Sequence, residues 1–316
     1  MEDTKQINPS IVPGLSFRRY VDQWGGRFFL LTTGLPFLLV IIMIVILFVR
    51  TTPILFSKPL GSLLLGQVWK PFQGDFGFFP FLIGTLWVTV LAMFVAVPPC
   101  LLNAIYLAEY APPAARAVLK PLLDLLAGIP SVVYGVWGVI TIVPAVQAIT
   151  PWVSTHLRMH ITNPTGYGIL SGGIVLAVMV APVIISVAYE VMEAVPHGVR
   201  HASLAVGATQ WQTIKFAVLP KAAPGIIAGI VLGFSRAFGE TMAVLMVVGN
   251  VPLVPHNIFD PAYPLTALIA NNYGEMMSIP LYDAALMGAA FLLLLIVIVF
   301  NAIAAFILHR ALNQNT

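Results

Sequence analysis

The sequence predicts an all-α integral membrane protein with six transmembrane helices, and three observations predict it. Of its 316 residues 59% are hydrophobic and only 9% charged, against roughly 25% charged in an ordinary soluble domain. Apolar runs recur from Phe28 to Leu308 and leave no stretch for a water-soluble domain. Six of these runs reach the about 20 residues with which a helix crosses about 30 Å of hydrocarbon. Membrane lipid is thus a partner of the whole chain. A net charge of +3, scattered along the sequence, excludes nucleic acid, whose binders need a basic face or stripe. The single cysteine, Cys100, supports neither a disulfide framework nor a cysteine-based zinc site.

In chain order, a polar segment, 1–27, carries Arg18, Arg19 and Arg27 and precedes a first span at 28–49. That span is too long for a signal-peptide core and no small-residue cleavage site follows it, so it is expected to be retained. The connection 51–79 holds Pro53, Pro59, Pro71 and several glycines and reads as irregular surface structure. The second span, 80–108, contains Pro98 and Pro99; the third, 119–149, contains Gly128, Ile129 and Pro130; the fourth, 168–191, contains Pro182. Each proline deletes a backbone donor and opens a helix locally, which suits a lined pathway, although proline and glycine are also simply commoner in membrane helices. A fifth span at 224–248 and a sixth at 281–308 complete one transmembrane domain, 28–310, before a short tail, 311–316.

Lys and Arg are held on the cytoplasmic side of a membrane. Six spans put both termini on one side, and that side collects ten such residues: Lys5, Arg18, Arg19, Arg27, Arg116, Lys120, Arg200, Lys215, Lys221 and Arg310. The other collects four, Arg50, Lys58, Lys70 and Arg158, and Arg236 falls within a span. Both termini are therefore expected to be cytoplasmic. His156, Arg158 and His160 form a small basic loop outside, either solvated or facing an acidic partner.

The longest cytoplasmic connection, 190–221, mixes Leu204, Val206, Trp211, Ile214, Phe216 and Val218 with polar residues. It reads as two short helical stretches joined at Gly207 and ended by Leu219 and Pro220. An exposed apolar face there implies a partner surface or the membrane interface. His197 and His201, four apart, permit a metal but have no third ligand, and solvation is the simpler account.

The run HASLAVGATQWQTIKFAVLP, with Ala202, Ser203, Gly207, Leu219 and Pro220, resembles the loop by which ABC importer permeases engage their ATPase subunits. It departs at His201, where the family usually has Glu, and at Ala217, where it usually has a larger aliphatic. LAGIPSVVYGVWG (126–138) and GFSRAFGETMAVLMVVGN (233–250) resemble the phosphate-specific permeases, and the second run looks like the PstC type. PFLIGTLWVTVLA (80–92) and LTALIANNYGE (265–275) are similar to that family too. The resemblance implies a bacterial inner-membrane protein in a heterodimer with a PstA-type permease, two copies of a PstB-type ATPase, and a PstS-type phosphate-binding protein. No G-x-x-x-x-G-K-[ST] run occurs, so this chain is expected to bind no cofactor, with ATP and Mg on the partner ATPase.

Arg236 and Glu240 stand in the otherwise apolar fifth span, where an ionisable group costs at least about 2.5 to 3.5 kcal/mol. At 100° per residue they fall within about 80° of Gly225, Gly229 and Gly233, so the charges share a face with a glycine stripe that approaches another helix or lines a cavity. The spacing lets Glu240 pair with Arg236. Two readings are open: a buried ion pair that fixes helix register, or a guanidinium on a phosphate pathway whose hold Glu240 moderates. Thr241 and Ser131 add candidate hydroxyl donors, though an isolated hydroxyl in a membrane helix often bonds its own backbone. The function expected is the permease subunit of an ATP-driven phosphate importer, not an enzyme. An ion-coupled secondary transporter for an inorganic anion would account for the charges but not for the 202–220 loop. A lipid-modifying membrane enzyme would need clustered His, Asp or Glu at one interface, and the acidic residues are dispersed.

Overall fold

The computed structural model describes residues 15–156, 161, 163–276 and 278–313. Lys5, Arg158, His160, residues 1–14 of the N-terminal segment and 314–316 of the tail lie outside them. Among the described residues six helices are long and apolar enough to cross a membrane, as the composition predicts: Trp24–Ser57, Phe79–Tyr110, Ser131–His156, Ile169–Glu193, Gln210–Phe238 and Pro280–Phe306.

The chain divides into two units, Met1–Arg50 and Thr51–Thr316. The described part of the first is a single helix, most of α1 (Leu15–Ser57), which runs on through Gly34 and Pro36. In the second unit α7 (Ile169–Glu193) is central: 67% of its most apolar stretch is buried, against 28% for Ser131–His156. Lipid tails are as apolar as leucine, so burial alone does not drive membrane helices together and close backbone approach does much of the work. The α10 helix (Leu219–Phe238) supplies that approach with its glycine stripe: Gly225 lies over Val191, Gly229 over Val187 and Gly233 over Ile184, all on α7. A Cβ at Gly229 would stand 2.9 Å from Val187, and one at Gly233 2.6 Å from Ile184. The stripe therefore packs against a helix of the same chain. On the other side α3 (Phe79–Ile105) sets Val88 and Leu91 against Gly172 and Gly173 of α7.

The third span starts later than the sequence suggests. Residues 113–127 form a separate amphipathic helix, α4 (Pro113–Ala127), which buries no residue fully. Gly128, Ile129 and Pro130 end it, because proline biases the residue before it away from the helical region. The span then begins at α5 (Ser131–Trp137) and continues through a π turn, Gly138–Ile142, into α6 (Val143–His156). Both α3 and α7 stay helical through Pro98, Pro99 and Pro182. Among the described residues three π turns each stand one residue before a proline: Tyr106–Tyr110 before Pro112, Gly138–Ile142 before Pro144 and Ile214–Val218 before Pro220. A proline cannot donate to the carbonyl four residues back and its ring crowds that carbonyl; the wider turn relieves both problems.

The connection 51–79 is more ordered than its turn-forming composition suggests. It holds α2 (Leu60–Leu65) and a minimal hairpin, β1 (Trp69–Lys70) and β2 (Asp75–Phe76), antiparallel with Trp69 opposite Phe76 and Lys70 opposite Asp75. Trp69 organises it, with ring centroids 5.5 Å from Phe76, 5.9 Å from Phe78, 5.0 Å from Phe81 and 5.9 Å from Tyr282 at the start of the last helix (Pro280–Asn313). The pairs with Phe76, Phe81 and Tyr282 are edge-to-face, an arrangement that adds about 0.5 to 1.5 kcal/mol each beyond burial. Two-residue strands carry no readable alternation, so only the aromatic spacing signals this cap.

Candidate functional site: a docking element and a helix break

Two regions hold the residues that the sequence singles out. The first follows α7. Pro196 caps the start of α8 (His197–Ala205), and Gly207, just past its C-cap Val206, lies in the left-handed region at φ 87°. The Gly207 N–H donates to Leu204 O at 3.0 Å and the Ala208 N–H to Ser203 O at 3.3 Å, which closes the helix end. Thr209 then opens α9 (Gln210–Thr213) with a capping box: Thr209 Oγ1 accepts from the Gln212 N–H at 3.3 Å and Gln212 Oε1 from the Thr209 N–H at 2.8 Å. Two short helices joined at Gly207 are what the sequence indicates. The expected stop at Leu219 and Pro220 is not there, because the π turn Ile214–Val218 carries the helix through Pro220 into α10 without a break.

The six apolar residues of this element divide. Ile214 and Val218 are fully buried and anchor it, while Leu204, Val206, Trp211 and Phe216 are exposed, Val206 to 85% and Phe216 to 68%. His201, Ala202, Gly207 and Pro220 are exposed as well; Leu219 is half-buried. Ser203 is half-buried and its Oγ lies 2.9 Å from Thr213 Oγ1, tying α8 to α9.

The second region is the end of α10. The helix stops at Phe238, with Gly239 as C-cap, and a new helix, α11 (Met242–Val247), starts after Thr241. Glu240 is therefore outside the fifth helix, and that span ends ten residues before the expected 248. The break separates the two charges, and they do not form the ion pair that their spacing permits. Instead Glu240 Oε1 accepts from the Ala243 N–H at 3.3 Å, satisfying a first-turn donor of α11. Arg236 is exposed, and its Nη2 donates to Ala127 O at 3.4 Å, at the C-terminus of α4. Tyr134 Oη donates to Leu126 O at 2.8 Å at the same helix end. A cation at a helix C-terminus meets the negative end of the macrodipole, worth about 0.3 to 1 kcal/mol. Thr241 Oγ1 makes only a long contact to Gly239 O, 3.5 Å, and Ser131 is half-buried at the start of α5. Arg236 is thus brought to the α4–α5 break that Ser131 follows, whereas Glu240 and Thr241 belong to the α10–α11 break.

Sequence reasoning missed the company of Glu240. Glu240 lines a narrow cleft with Thr85, Thr89 and Thr266, walled by Val88, Leu176 and Val244. Thr266 Oγ1 donates to Glu240 O at 2.9 Å, and Thr85 Oγ1 donates to Phe81 O at 2.7 Å while accepting from the Leu265 N–H at 3.0 Å. The signal was available, since Thr85 and Thr89 are one turn apart in an otherwise apolar helix. Also missed was Arg200, read only as a topological charge. Its side chain is 14% exposed and pairs at 2.7 Å with Glu109, 8% exposed, on the π turn Tyr106–Tyr110 that closes α3.

Residues 101–315 match the family described as binding-protein-dependent transport system inner membrane component. A probable ABC transporter permease protein, YqgH of Bacillus subtilis, is 40% identical over 66% of this chain and 64% of its own length. The phosphate transport system permease protein PstC of Haemophilus influenzae is 34% identical over 88% of this chain and 92% of its own, and PstC of Xylella fastidiosa 35% identical over 79% of each. Among solved structures, a bacterial ABC transporter involved in alginate import superposes with a TM-score of 0.62 at 17% identity, covering 93% of this chain and 99% of that one. The inward-facing MetNI methionine transporter gives 0.52 at 18% identity, covering 77% and 99%.

Proposed function

The chain belongs to the family of binding-protein-dependent transport system inner membrane components, and from that premise we propose that it is the permease subunit of an ATP-driven phosphate importer. It is a multi-pass inner-membrane protein, and its relatives are transporter permease subunits rather than enzymes. An ATPase and a substrate-binding protein are the partners such a permease works with. In the finer reading these are two PstB-type ATPases and a PstS-type phosphate-binding protein, with a PstA-type permease completing the pathway. ATP and Mg sit on the ATPase subunits, and this chain binds neither.

One observation carries the mechanism: Gln210–Phe238 is a single helix that bears the docking element at one end and Arg236 in its last turn at the other. A displacement of the element by an ATPase subunit moves the end of α10 as well. His201, Ala202, Ser203, Gly207, Leu219 and Pro220 are the coupling residues in this reading. Arg236 supplies a forked cation toward a phosphate, with Glu240, Thr241 and Ser131 on the same pathway. The test is reconstitution of the chain with its three kinds of partner in liposomes, where phosphate uptake should need ATP on the cytoplasmic side. Uptake driven by an ion gradient without ATP would make it a secondary transporter instead.

The orientation follows from the Lys and Arg distribution, with both termini cytoplasmic. A cysteine placed at Lys58 or His156 should react with an impermeant thiol reagent from outside, and one at Thr209 should not. The native Cys100 is buried and gives little background. External labelling at Thr209 would overturn this topology.

A further inference from the structure

We propose that Arg200 and Glu109 form the joint through which the docking element grips the ends of the second and fourth spans, which makes Arg200 a positioning residue for coupling; this rests on the permease reading above. The guanidinium of Arg200 takes partners from the ends of two spans, the second and the fourth. Its Nε and Nη2 donate to the Glu109 carboxylate, Nη2 at 2.7 Å to Oε1 and Nε at 3.2 and 3.3 Å to the two oxygens. The same Nη2 donates to Met192 O at 2.8 Å, in the last turn of α7, and Nη1 donates to Val195 O just past its C-cap.

Glu109 is held from both halves of the docking element. Arg200 of α8 takes its carboxylate, and Gln210 Nε2 of α9 donates to its backbone carbonyl at 2.8 Å. Arg116 steadies the same turn, donating to Ala108 O at 2.8 Å and Ala111 O at 3.0 Å. Glu109 itself stands on a π turn, a geometry that can slip by one hydrogen bond and is frequent at functional sites. Because α9 runs without interruption into α10, the element is bonded to the second and fourth spans and continuous with the fifth. A lysine has no fork, so it cannot hold a carboxylate and two carbonyls in one plane, and no other side chain reproduces this junction. Val206, Trp211 and Phe216 are exposed, whereas the side chains of Arg200 and Glu109 are largely covered, so the pair is not part of the exposed apolar surface.

The experiment uses the full complex in liposomes with Glu109→Gln and, separately, Arg200→Lys, measuring co-purification of the ATPase, ATP hydrolysis, and phosphate imported per ATP. Both variants are expected to assemble and hydrolyse ATP, with phosphate per ATP falling roughly tenfold or more. An unchanged ratio in the assembled variants overturns the joint. So does failure of both conservative variants to assemble, because the pair is then a folding anchor. If the wild-type complex does not import phosphate on ATP, the permease reading fails first, and the comparison of ratios does not arise.

Discussion

Gly207→Trp should leave the complex assembled while phosphate imported per ATP falls by roughly tenfold or more, the factor that about 1.4 kcal/mol of misplacement energy produces. The expectation rests on two local facts. Gly207 has φ 87°, where a residue with a side chain is strained by about 1 to 3 kcal/mol. A Cβ there meets nothing within 4 Å, so the strain is not compounded by a clash inside the chain and the new ring projects outward. The ring would stand beside Val206, the most exposed residue of the element's apolar face. The damage should therefore fall on how α8 and α9 are presented to the ATPase, not on the fold of the span beneath. Gly207→Asn separates backbone from bulk, since asparagine enters the left-handed region more readily than other side chains. It should retain most of the coupling. Unchanged import and phosphate-stimulated hydrolysis in Gly207→Trp would mean that this loop does not transmit the ATPase stroke.

The same element shows what the sequence could and could not convey. Gly207 and the Thr209 capping box are local: a glycine and a T-x-x-Q spacing dictate their own geometry, so the joint between two helices was legible. The six spans were legible too, because twenty apolar residues in lipid have few alternatives to a helix. What failed was continuity. Pro220 reads as a terminator, yet the π turn before it accommodates the proline and keeps the helix running, and a proline alone does not distinguish that outcome from a stop. Gly239 has the opposite outcome. It sits in an apolar run that reads as one helix, and tertiary contacts decide that the chain breaks there, including Thr266 reaching Glu240 O from 26 residues away. The pairing of Arg200 with Glu109 spans 91 residues and has no local signature at all.

That break at Gly239 changes how Arg236 can be tested. Had Arg236 and Glu240 been a pair, removing one would have stranded the other, at a cost of about 3 to 5 kcal/mol, and only a double substitution would have been informative. Since Glu240 is engaged with the Ala243 N–H and Arg236 with Ala127 O, single substitutions can be read directly. Arg236→Met loses a long 3.4 Å bond and a cation at the end of α4, about 0.3 to 1 kcal/mol, so a guanidinium that only caps that helix leaves import within a few-fold of normal. A guanidinium on the phosphate pathway makes charge-assisted hydrogen bonds to the passing anion, about 1.5 to 3 kcal/mol, and its loss slows import roughly ten- to a hundredfold. The two roles therefore differ in magnitude, and the pathway role predicts the larger loss in a complex that still assembles and binds ATP. Arg236→Lys should recover part of the rate by restoring charge without the fork. Glu240→Gln keeps the oxygen that accepts from Ala243, so its fold is preserved, and any change in import reports the carboxylate charge alone. Import by assembled Arg236→Met within a few-fold of wild type would remove Arg236 from the anion's path and leave it as the cap of α4.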